Sequence, residues 1–538
     1  MLNDFLTQAA LRSPESEAIR AGGATLTYAQ LAHDATAVAG SLYASGVRAA
    51  DRVVVFSPNT ITAAIGFWGV VMCGGVAVMV GSRTPAHKLA WMLADADAAA
   101  LITDESVVDV AVGAGLTQLR SVIVAGPPSA LSDLSRLAYA VALDDAIADG
   151  SAADDLGIPI GADLAALIYT SGSSGEPKAV MVTHENVDAA ASAICGYLDL
   201  TSRDVLLCAL PLSFDYGLYQ MIMSVKVRAR LVLERSFELP GQILNTIARE
   251  RVTVFPGVPT MFAILAKLPS LQRWDLTGVR TITSTGSALA TELVDWLRRA
   301  FPRAQIFSMY GLTECKRCTY LPPGDLERKP GSVGVVIPGN EIWLVDGDDR
   351  VVAAGEVGQL VVRGPTVMAG YWRRPDETAR RLRPGPESGE SVLYTGDLCR
   401  LDADGYLYFV SRMDDVIKSR GEKVAPAEVE AALRSSPGVL EAAVVGRPHE
   451  ILGQAIHAFV VVDDRSAVTP AVLRAACGER LEPFMVPQAI EIVDTIPRTA
   501  HGKIEKAALV ISPGLEATAR TDRRTEAEEM EECPPSSR

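Results

Sequence analysis

A polar, glycine-rich segment at residues 168–183 carries the clearest chemical signal in the sequence. It reads Ile-Tyr-Thr-Ser-Gly-Ser-Ser-Gly-Glu-Pro-Lys-Ala-Val-Met-Val-Thr. Hydroxyl groups and backbone N–H groups freed by glycine can surround phosphate oxygens, and a lysine adds positive charge. The segment therefore predicts a phosphate-binding loop formed by Thr170, Ser171, Gly172, Ser173, Ser174, Gly175 and Lys178.

Short apolar runs on both sides predict how this loop is held. Residues 164–169 and 179–182 have the length and composition of strands, so the loop would join the two strands of a hairpin. A Walker loop is excluded, because that motif needs GxxxxGK[ST] before a helix, whereas Pro177 precedes Lys178 here. The alternative is a solvated hairpin tip of serine and glycine.

Three more polar motifs follow predicted strands. In open α/β sheets, ligands bind at the edge formed by the carboxyl ends of the strands. The motifs are therefore candidates for ligand binding: Pro-Gly-Val-Pro-Thr after 252–255, Ser-Thr-Gly-Ser-Ala after 281–283, and Tyr-Gly-Leu-Thr-Glu after 305–309.

Length and composition limit the classes of protein to consider. A chain of 538 residues is too long for one core, so we expect two or more domains. Its 49% hydrophobic content, 44 glycines and 31 prolines are typical of a soluble α/β protein. The net charge of −15 argues against a nucleic-acid partner. The first residues lack a signal-peptide pattern, so we expect a cytoplasmic location.

Two features of the sequence could be mistaken for a membrane span and a metal site. Residues 61–80 are twenty uncharged residues, which is the length of a membrane span. Gly74-Gly75 would end a helix there and Val-Ala-Val-Met-Val suits a buried strand, so we predict a helix, a turn and a strand, with no membrane partner. Cys315 and Cys318 form a CxxC, but neither a second pair nor clustered histidines accompany it, and we expect reduced thiols.

The hydrophobic pattern predicts an α/β fold. Residues 1–160 alternate helices and strands, including a helix over 28–45 and a strand over 52–56. Residues 331–412 form a β-rich subdomain with Asp-Gly turns, and an α+β unit follows from 413. The polar, glutamate-rich tail from 513 is expected to be disordered.

Five motifs in order resemble the adenylate-forming (AMP-binding) superfamily, which includes acyl-CoA synthetases, nonribosomal peptide synthetase adenylation domains and luciferase. The resemblance covers about residues 10 to 510. It implies a large N-terminal domain over 1–412 with the ATP and acid sites, a small mobile domain over 413–512 with the catalytic lysine, and a tail over 513–538. The motifs are YTSGSSGEPKAV (169–180), STGSALA (284–290), YGLTE (310–314), the run 394–430 that begins YTGDLCRLDADGYLYF, and PRTAHGKIEK (497–506).

The resemblance assigns roles around ATP. The loop from Thr170 to Lys178 would hold the β- and γ-phosphates, Thr313 would contact the α-phosphate, and Glu314 would bind Mg²⁺ together with phosphate oxygens. Without the motif, Asp397 could equally be a turn aspartate. The residues implied at the adenosine are Gly286 and Ser287 at adenine, Tyr310 stacked on the base with Gly311 beside it, Asp397 at the ribose hydroxyls, and Arg412 next to Asp397.

Three residues near the second domain receive roles in the same way. Lys503 would reach between the substrate carboxylate and the α-phosphate and neutralise charge in the transition state. Taken alone, a lysine beside glycine is most often a surface turn residue. Asp414 matches a hinge about which the small domain rotates between two half-reactions, and Gly421 would line the entry of the thiol.

The resemblance also places an acid pocket. An aspartate in a Phe-Asp motif pairs with the α-ammonium in members that activate amino acids, and Phe214-Asp215 matches it. Such an ion pair discriminates strongly when desolvated; the alternative is that Asp215 caps a helix. The lining looks small and partly aromatic, which disfavours a long fatty acid: Asp215, Tyr216, Tyr219, Pro256, Gly257, Ser284, Thr285, Met309, Arg317 and Cys318.

The leading hypothesis is an AMP-forming acid–thiol ligase that uses ATP and Mg²⁺ to activate a small amino or aryl acid. Pyrophosphate would leave, and the acyl group would pass to a phosphopantetheine thiol, with a carrier protein acting in trans for biosynthesis as the first choice. A ligase using free CoA is the alternative, and a non-thiol acceptor stays open. Lys316 and Arg317 depart from the usual small or apolar residues and could face an acidic substrate, a phosphopantetheine or only solvent.

Overall fold

The structure is a computed structural model. It describes residues 1–135, 139–150, 159–171, 177–286, 289–387, 389–419, 422–449, 452–463, 468–482, 484–498 and 504–511. Several predicted residues lie outside these ranges: Gly172, Ser173, Ser174, Gly175, Ser287, Gly421 and Lys503, together with the tail from 513.

The chain forms two compact units, Met1–Val410 and Ser411–Arg538. The helices of the described residues are α1 Leu2–Arg12, α2 Tyr28–Ala44, α3 Ile61–Met72, α4 Ala86–Ala96, α5 Val108–Ala114, α6 Pro128–Ser135, α7 Leu143–Asp149, α8 His184–Tyr197, α9 Asp215–Val227, α10 Pro240–Glu250, α11 Pro259–Ala266, α12 Thr291–Ala300, α13 Pro375–Arg381, α14 Pro426–Arg434, α15 Pro470–Gly478 and α16 Lys506–Ile511. Short 3-10 turns occupy Glu105–Val107, Pro323–Asp325 and Met413–Asp415.

The strands of the described residues form four sheets. They are β1 Glu17–Ala21, β2 Ala24–Thr27, β3 Arg52–Phe56, β4 Val76–Val80, β5 Ala98–Asp104, β6 Ser121–Ala125, β7 Ala140–Ala142, β8 Leu164–Ser171, β9 Pro177–Thr183, β10 Val205–Cys208, β11 Arg230–Leu233, β12 Val254–Gly257, β13 Thr281–Ser284, β14 Gln305–Tyr310, β15 Thr319–Leu321, β16 Val335–Val336, β17 Glu341–Val345, β18 Val357–Arg363, β19 Gly370–Tyr371, β20 Leu382–Pro384, β21 Ser391–Leu401, β22 Leu407–Arg412, β23 Ile417–Ser419, β24 Glu422–Val424, β25 Val439–His449, β26 Gly453–Val462 and β27 Ala489–Ile492.

The first sheet has the order β16-β15-β14-β13-β12-β10-β11-β1-β2. Strands β14, β13, β12, β10, β11 and β1 are parallel neighbours, while β15, β16 and β2 run antiparallel at the two ends. The carboxyl ends of β10, β12, β13 and β14 therefore meet at one edge. This parallel arrangement gathers the motifs that the sequence placed after these strands.

The second sheet has the order β19-β9-β8-β4-β3-β5-β6-β7. Strands β8 and β9 pair antiparallel with Thr170 opposite Lys178, so the predicted hairpin around the phosphate loop is confirmed. The predicted strand over 52–56 is also confirmed, as β3 between β4 and β5.

The apolar run over 61–80 is a helix, a turn and a strand, as predicted. Helix α3 is followed by Gly74 with φ +72, a conformation that glycine adopts without steric cost, and then by the fully buried β4. Both elements belong to the main hydrophobic cores. Among the described residues, no helix combines the length and the apolar composition needed to cross a bilayer.

The predicted β-rich stretch contains the third sheet, β17-β18-β21-β20 with β22 paired to β21. It also contains α13, a helix that was not predicted from the sequence. Its segment Pro-Asp-Glu-Thr-Ala-Arg-Arg starts with proline at the first turn, has acidic residues there and basic residues in the last turn. Proline is favoured in the first turn of a helix, where an N–H has no partner within the helix. Acidic and basic side chains complement the partial charges at its start and end, so this pattern is typical of a helix.

The unit Ser411–Arg538 contains the fourth sheet, β24-β23-β26-β25 with β27 parallel to β26. Helices α14 and α15 pack on it over a separate core that includes Val429, Leu433 and Leu473. The predicted α+β character of this part of the chain is confirmed. With the larger unit, it gives the predicted fold class, a large α/β domain followed by a small domain with a sheet.

Candidate active site

The loop after β14 is folded tightly against the strand ends. The backbone N–H of Cys318 donates to the carbonyl of Tyr310 at 2.9 Å, which closes the loop between β14 and β15. A Cβ on Gly311 would lie 2.1 Å from the carbonyl oxygen of Lys316, so only glycine fits there. This closure fixes the positions of Thr313 and Glu314.

Glu314 and Lys178 belong to one polar cluster with two residues that the sequence did not single out. The hydroxyl of Tyr371 donates to Oε1 of Glu314 at 2.7 Å. The Nζ of Lys178 pairs with the carboxylate of Glu377 and lies 5.7 Å from the ring centroid of Tyr371. Burial and the nearby Glu314 raise the pKa of Tyr371 well above its usual value, so Tyr371 stays a hydrogen-bond donor.

The donor set around Glu314 fits a magnesium ion bound with phosphate. Among the described residues, no group of three or more histidine, cysteine, aspartate or glutamate side chains could hold a metal alone. Mg²⁺ is commonly held by one or two carboxylates plus substrate phosphates and water. A single glutamate positioned by Tyr371, near the base of the phosphate hairpin through Lys178, matches that pattern.

Tyr310 and Asp397, both predicted to contact adenosine, lie together. The hydroxyl of Tyr310, at the end of β14, donates to the carboxylate of Asp397 in β21, which is 1% exposed. Phe409 lies against Tyr310 with 6.1 Å between ring centroids. Gly286 has φ +93 and turns the chain just after β13. Stacking on the base and contact with the ribose stay predictions, as does the role of Arg412 at the end of β22.

The start of α9 packs into the sheet edge and brings Asp215, Tyr216 and Tyr219 there. The hydroxyl of Tyr216 hydrogen-bonds to the carbonyl of Thr283 at 2.9 Å. Asp215 is 5% exposed, and its Oδ1 accepts from the N–H of Tyr216 at 2.8 Å. The N-cap residue is Phe214, so the alternative that Asp215 is the helix cap is wrong.

Lys316 and Arg317 are buried, which rules out the alternative that they face solvent. They are 1% and 5% exposed. The guanidinium of Arg317 lies 4.5 Å over the ring of Tyr216, and its Nη1 is 4.0 Å from Oδ2 of Asp215. The Nζ of Lys316 donates to the carbonyl of Thr313 at 2.7 Å. Burial lowers the pKa of Lys316 to about 8.

Three buried polar atoms in this region have no hydrogen-bond partner among the described residues: Tyr219 Oη, Ser284 Oγ and Arg317 Nε. Leaving a buried donor or acceptor unpaired is costly, so such groups mark places where a ligand or a water supplies the partner. The other predicted lining residues are buried at the same edge, namely Pro256, Gly257, Thr285, Met309 and Cys318. The structure thus brings the predicted acid-pocket residues of α9, β12, β13 and β14 together.

Comparison with known proteins identifies the family. The model of the AMP-binding enzyme family matches residues 6–372, and that of the AMP-binding enzyme C-terminal domain matches residues 428–503. The chain is 34% identical over 509 residues to a feruloyl-CoA synthase of Amycolatopsis sp, covering 94% of this chain and 97% of that protein. It is 30% identical over 537 residues to a linear gramicidin synthase of Brevibacillus parabrevis, covering 98% of this chain and 10% of that protein.

A solved structure agrees with this assignment. The anthranilate CoA ligase AuaEII in complex with anthranoyl-AMP matches with a TM-score of 0.85 and 27% identity, over 96% of this chain and 98% of that one. The resemblance inferred from the five motifs is therefore confirmed. This chain belongs to the AMP-binding enzyme family, and it is an AMP-forming acid–thiol ligase that activates a carboxylic acid with ATP.

Proposed function

We propose that this chain converts a small carboxylic acid to its coenzyme A thioester through an acyl-adenylate. The small acid is supported by the burial of the residues predicted to line the acid pocket, between the start of α9 and the ends of β13 and β14. Its wall is closed by Tyr216, Tyr219 and Arg317, all 5% exposed or less. Three large side chains packed to this extent favour a short acid over a long acyl chain.

The reaction has two steps that the residues must support. A carboxylate oxygen bonds to the α-phosphorus of ATP while the bond to the leaving pyrophosphate breaks. The thiolate then attacks the acyl carbon, and AMP leaves. Holding two anions together in the first step needs positive charge and alignment. We assign Lys178 and the 170–175 loop to the β- and γ-phosphates and Thr313 to the α-phosphate.

Glu314 would hold Mg²⁺, which when bound neutralises phosphate charge. In this chain, Tyr371 donates to one oxygen of Glu314 and so fixes the carboxylate. Lys178 is paired with Glu377, and a phosphate at the loop competes with that carboxylate for the lysine. The nucleotide base and ribose are assigned to Tyr310, Gly286, Ser287 and Asp397.

Three assignments complete the cycle. We propose that Lys503 supplies the cation between the acid and the α-phosphate, and that Gly421 lines the path of the thiol. Asp414, in the 3-10 turn Met413–Asp415, is proposed as the hinge. We also keep 1–412 and 413–512 as the functional domains, and a cytoplasmic location. Free cysteines at seven described positions fit a reducing compartment.

Free CoA is proposed as the acceptor because of the share of each relative's length that this chain covers. The feruloyl-CoA synthase matches this chain over nearly its whole length, whereas the gramicidin synthase matches over 10% of its own length. A carrier protein in trans, which the sequence favoured, stays the second candidate, since that synthase also aligns over 98% of this chain.

The test is a competition between acceptors. The full chain is incubated with ATP, Mg²⁺ and a panel of small acids, with CoA and a phosphopantetheine-bearing carrier protein at equal concentrations. We expect acyl-CoA to form faster at every productive acid. If thioester forms on the carrier protein alone, the carrier and not CoA is the acceptor. Transfer of the acyl group to a non-thiol acceptor would contradict both candidate acceptors.

A further inference from the structure

We propose that the acid activated by this chain carries a second anionic group, such as a second carboxylate, and that Arg317 binds it. The inference rests on the proposed function, because it names the class of acid for the same pocket. It concerns the described residues around the start of α9 and the loop after β14.

The charges in the pocket are the first observation that favours a second anionic group on the acid. The loop after β14 buries two cations in succession, Lys316 and Arg317, and the buried carboxylate of Asp215 lies 4.0 Å from Nη1 of Arg317. The Nζ of Lys316 donates a hydrogen bond to the neutral carbonyl of Thr313. That bond satisfies one N–H donor but does not neutralise the positive charge. The next carboxylate, Glu314, is hydrogen-bonded to Tyr371 and assigned to the metal. With Glu314 on the metal, Asp215 is left as the carboxylate beside two buried cations, and because buried charges need opposite partners, a second anion from the acid would be stabilised there.

The N–H donors of the Arg317 guanidinium are the second observation. A guanidinium has five N–H donors in a planar fork that matches a carboxylate. Nη1 donates to the carbonyl of Lys316 at 3.2 Å. The 4.0 Å to Asp215 is longer than a hydrogen bond, and Nε has no partner among the described residues. Stacking on Tyr216 fixes the plane of the fork, so its direction is set before the acid arrives.

Two hydroxyls extend the same pattern. Tyr219 Oη and Ser284 Oγ are buried without partners among the described residues, and each can donate to an anionic oxygen. Tyr219 lies one helical turn after Asp215 on α9, because residues i and i+4 share a face of a helix. A carboxylate accepts up to about four hydrogen bonds, enough to serve the spare guanidinium donor and a hydroxyl together.

The same geometry argues against an amino acid. Asp215, which the sequence assigned to a substrate ammonium, already has Arg317 as a neighbouring cation. An ammonium brought to Asp215 would lie near that guanidinium in a desolvated site, where like charges repel strongly. We therefore assign Asp215 as a positioning residue that holds Arg317. The amino-acid hypothesis is the main competitor in the test.

The first experiment uses the wild-type chain and acids matched in length and shape. Each set contains a dicarboxylic acid, its monomethyl ester, and the amino acid with an ammonium in place of the second carboxylate. Acid-dependent exchange of labelled pyrophosphate into ATP gives kcat/KM for each. We expect the dicarboxylic acid to exceed both analogues by about a hundredfold, since unpaired buried charge is what the analogues leave behind.

The second experiment assigns the preference to its residue. Arg317→Leu should raise KM for the dicarboxylic acid and remove its advantage over the monoester, whereas Arg317→Lys should retain part of it. Arg298→Leu is the matched control, because Arg298 forms an exposed ion pair with Glu327 outside the site. If thermal melting shows that Arg317→Leu does not fold, the lysine variant and the wild-type panel carry the test.

The outcomes separate the two proposals. Exchange with neutral acids or amino acids at equal or higher kcat/KM overturns this inference and leaves the proposed function intact. So does an amino-acid preference that Asp215→Asn abolishes and Arg317→Leu does not. Absence of exchange with every acid overturns both. A dicarboxylate preference that survives unchanged in Arg317→Leu and Arg317→Lys overturns the role of Arg317.

Discussion

Two charged residues assigned to ATP, Glu314 and Lys178, each have a second residue that sets their position. Glu314 is held by the hydroxyl of Tyr371, and Lys178 by the carboxylate of Glu377. Neither partner had a signal in the sequence, because Tyr371 and Glu377 come to the site through β19 and α13 from a distant part of the chain. Contacts of this kind follow from the pairing of β19 with β9, which periodicity does not reveal.

Replacing Tyr371 with phenylalanine tests this arrangement. The ring stays, but the donor to Glu314 is lost, so the carboxylate is less well ordered for Mg²⁺. Loss of such outer contacts typically weakens metal binding by about 10-fold or more. We expect a rise of that size in the Mg²⁺ concentration for half-maximal pyrophosphate exchange. Tyr408→Phe is the control, because it removes a hydroxyl that lies 3.4 Å from the carboxylate of Asp402; an equal Mg²⁺ dependence in both variants would contradict the role.

Lys503→Ala is the corresponding test of the transition-state cation. Removing that ammonium should abolish adenylate formation and leave the fold intact, because only a contact to developing charge is lost. Pyrophosphate exchange and thermal melting are the measurements. Lys506→Ala provides a lysine control in the same region, since Lys506 pairs with Glu430 at 2.9 Å. Exchange at the wild-type rate in Lys503→Ala would remove this residue from the mechanism.

At the scale of elements, hydrophobic periodicity and turn residues were sufficient to predict several strands and helices. Strand β3 has the predicted bounds, and the run over 61–80 divides into α3 and β4 at Gly74. The motifs after β12, β13 and β14 meet because parallel strands share an edge. The burial of Lys316 and Arg317 was open in the sequence, because charged residues are mostly exposed. It depends on the stacking of Arg317 on Tyr216 and on the closed loop.

The start of α9 shows how closely one element is fitted to the site. A Cβ on Gly217 would lie 2.2 Å from the carbonyl oxygen of Pro211, so the helix can approach the end of β10 only with glycine there. Gly217→Ala should lower the free energy of unfolding by about 1–3 kcal/mol, the usual cost of overpacking. Urea unfolding measures it. Gly241→Ala in α10 is the control, because nothing lies within 4 Å of its Cβ position; equal stability of the two variants would contradict the close fit.

At the scale of the whole molecule, the two compact units are the basis of the predicted switch between half-reactions. The division of the chain falls between Val410 and Ser411, and Asp414 follows closely in a 3-10 turn. Domain rotation about a few residues is a common way to change an active site. Neither the units nor the turn shows the rotation, so the hinge stays a prediction.

Asp414→Pro tests the hinge. Proline fixes φ at this position and should hinder rotation, whereas the chemistry of the first half-reaction is unaffected. We expect pyrophosphate exchange to stay near the wild-type rate and thioester formation to fall steeply. Measuring both half-reactions in one preparation distinguishes this from a folding defect, which would reduce them equally and contradict the hinge.

The most direct test of the central claim is the product balance of the complete reaction. The chain is supplied with ATP, Mg²⁺, an acid that supports exchange and CoA, and the nucleotides, pyrophosphate and thioester are quantified together. An AMP-forming acid–thiol ligase yields AMP, pyrophosphate and thioester in equal amounts, and each depends on the acid. Formation of ADP and phosphate in place of AMP and pyrophosphate, or consumption of ATP at the same rate without the acid, would contradict the account.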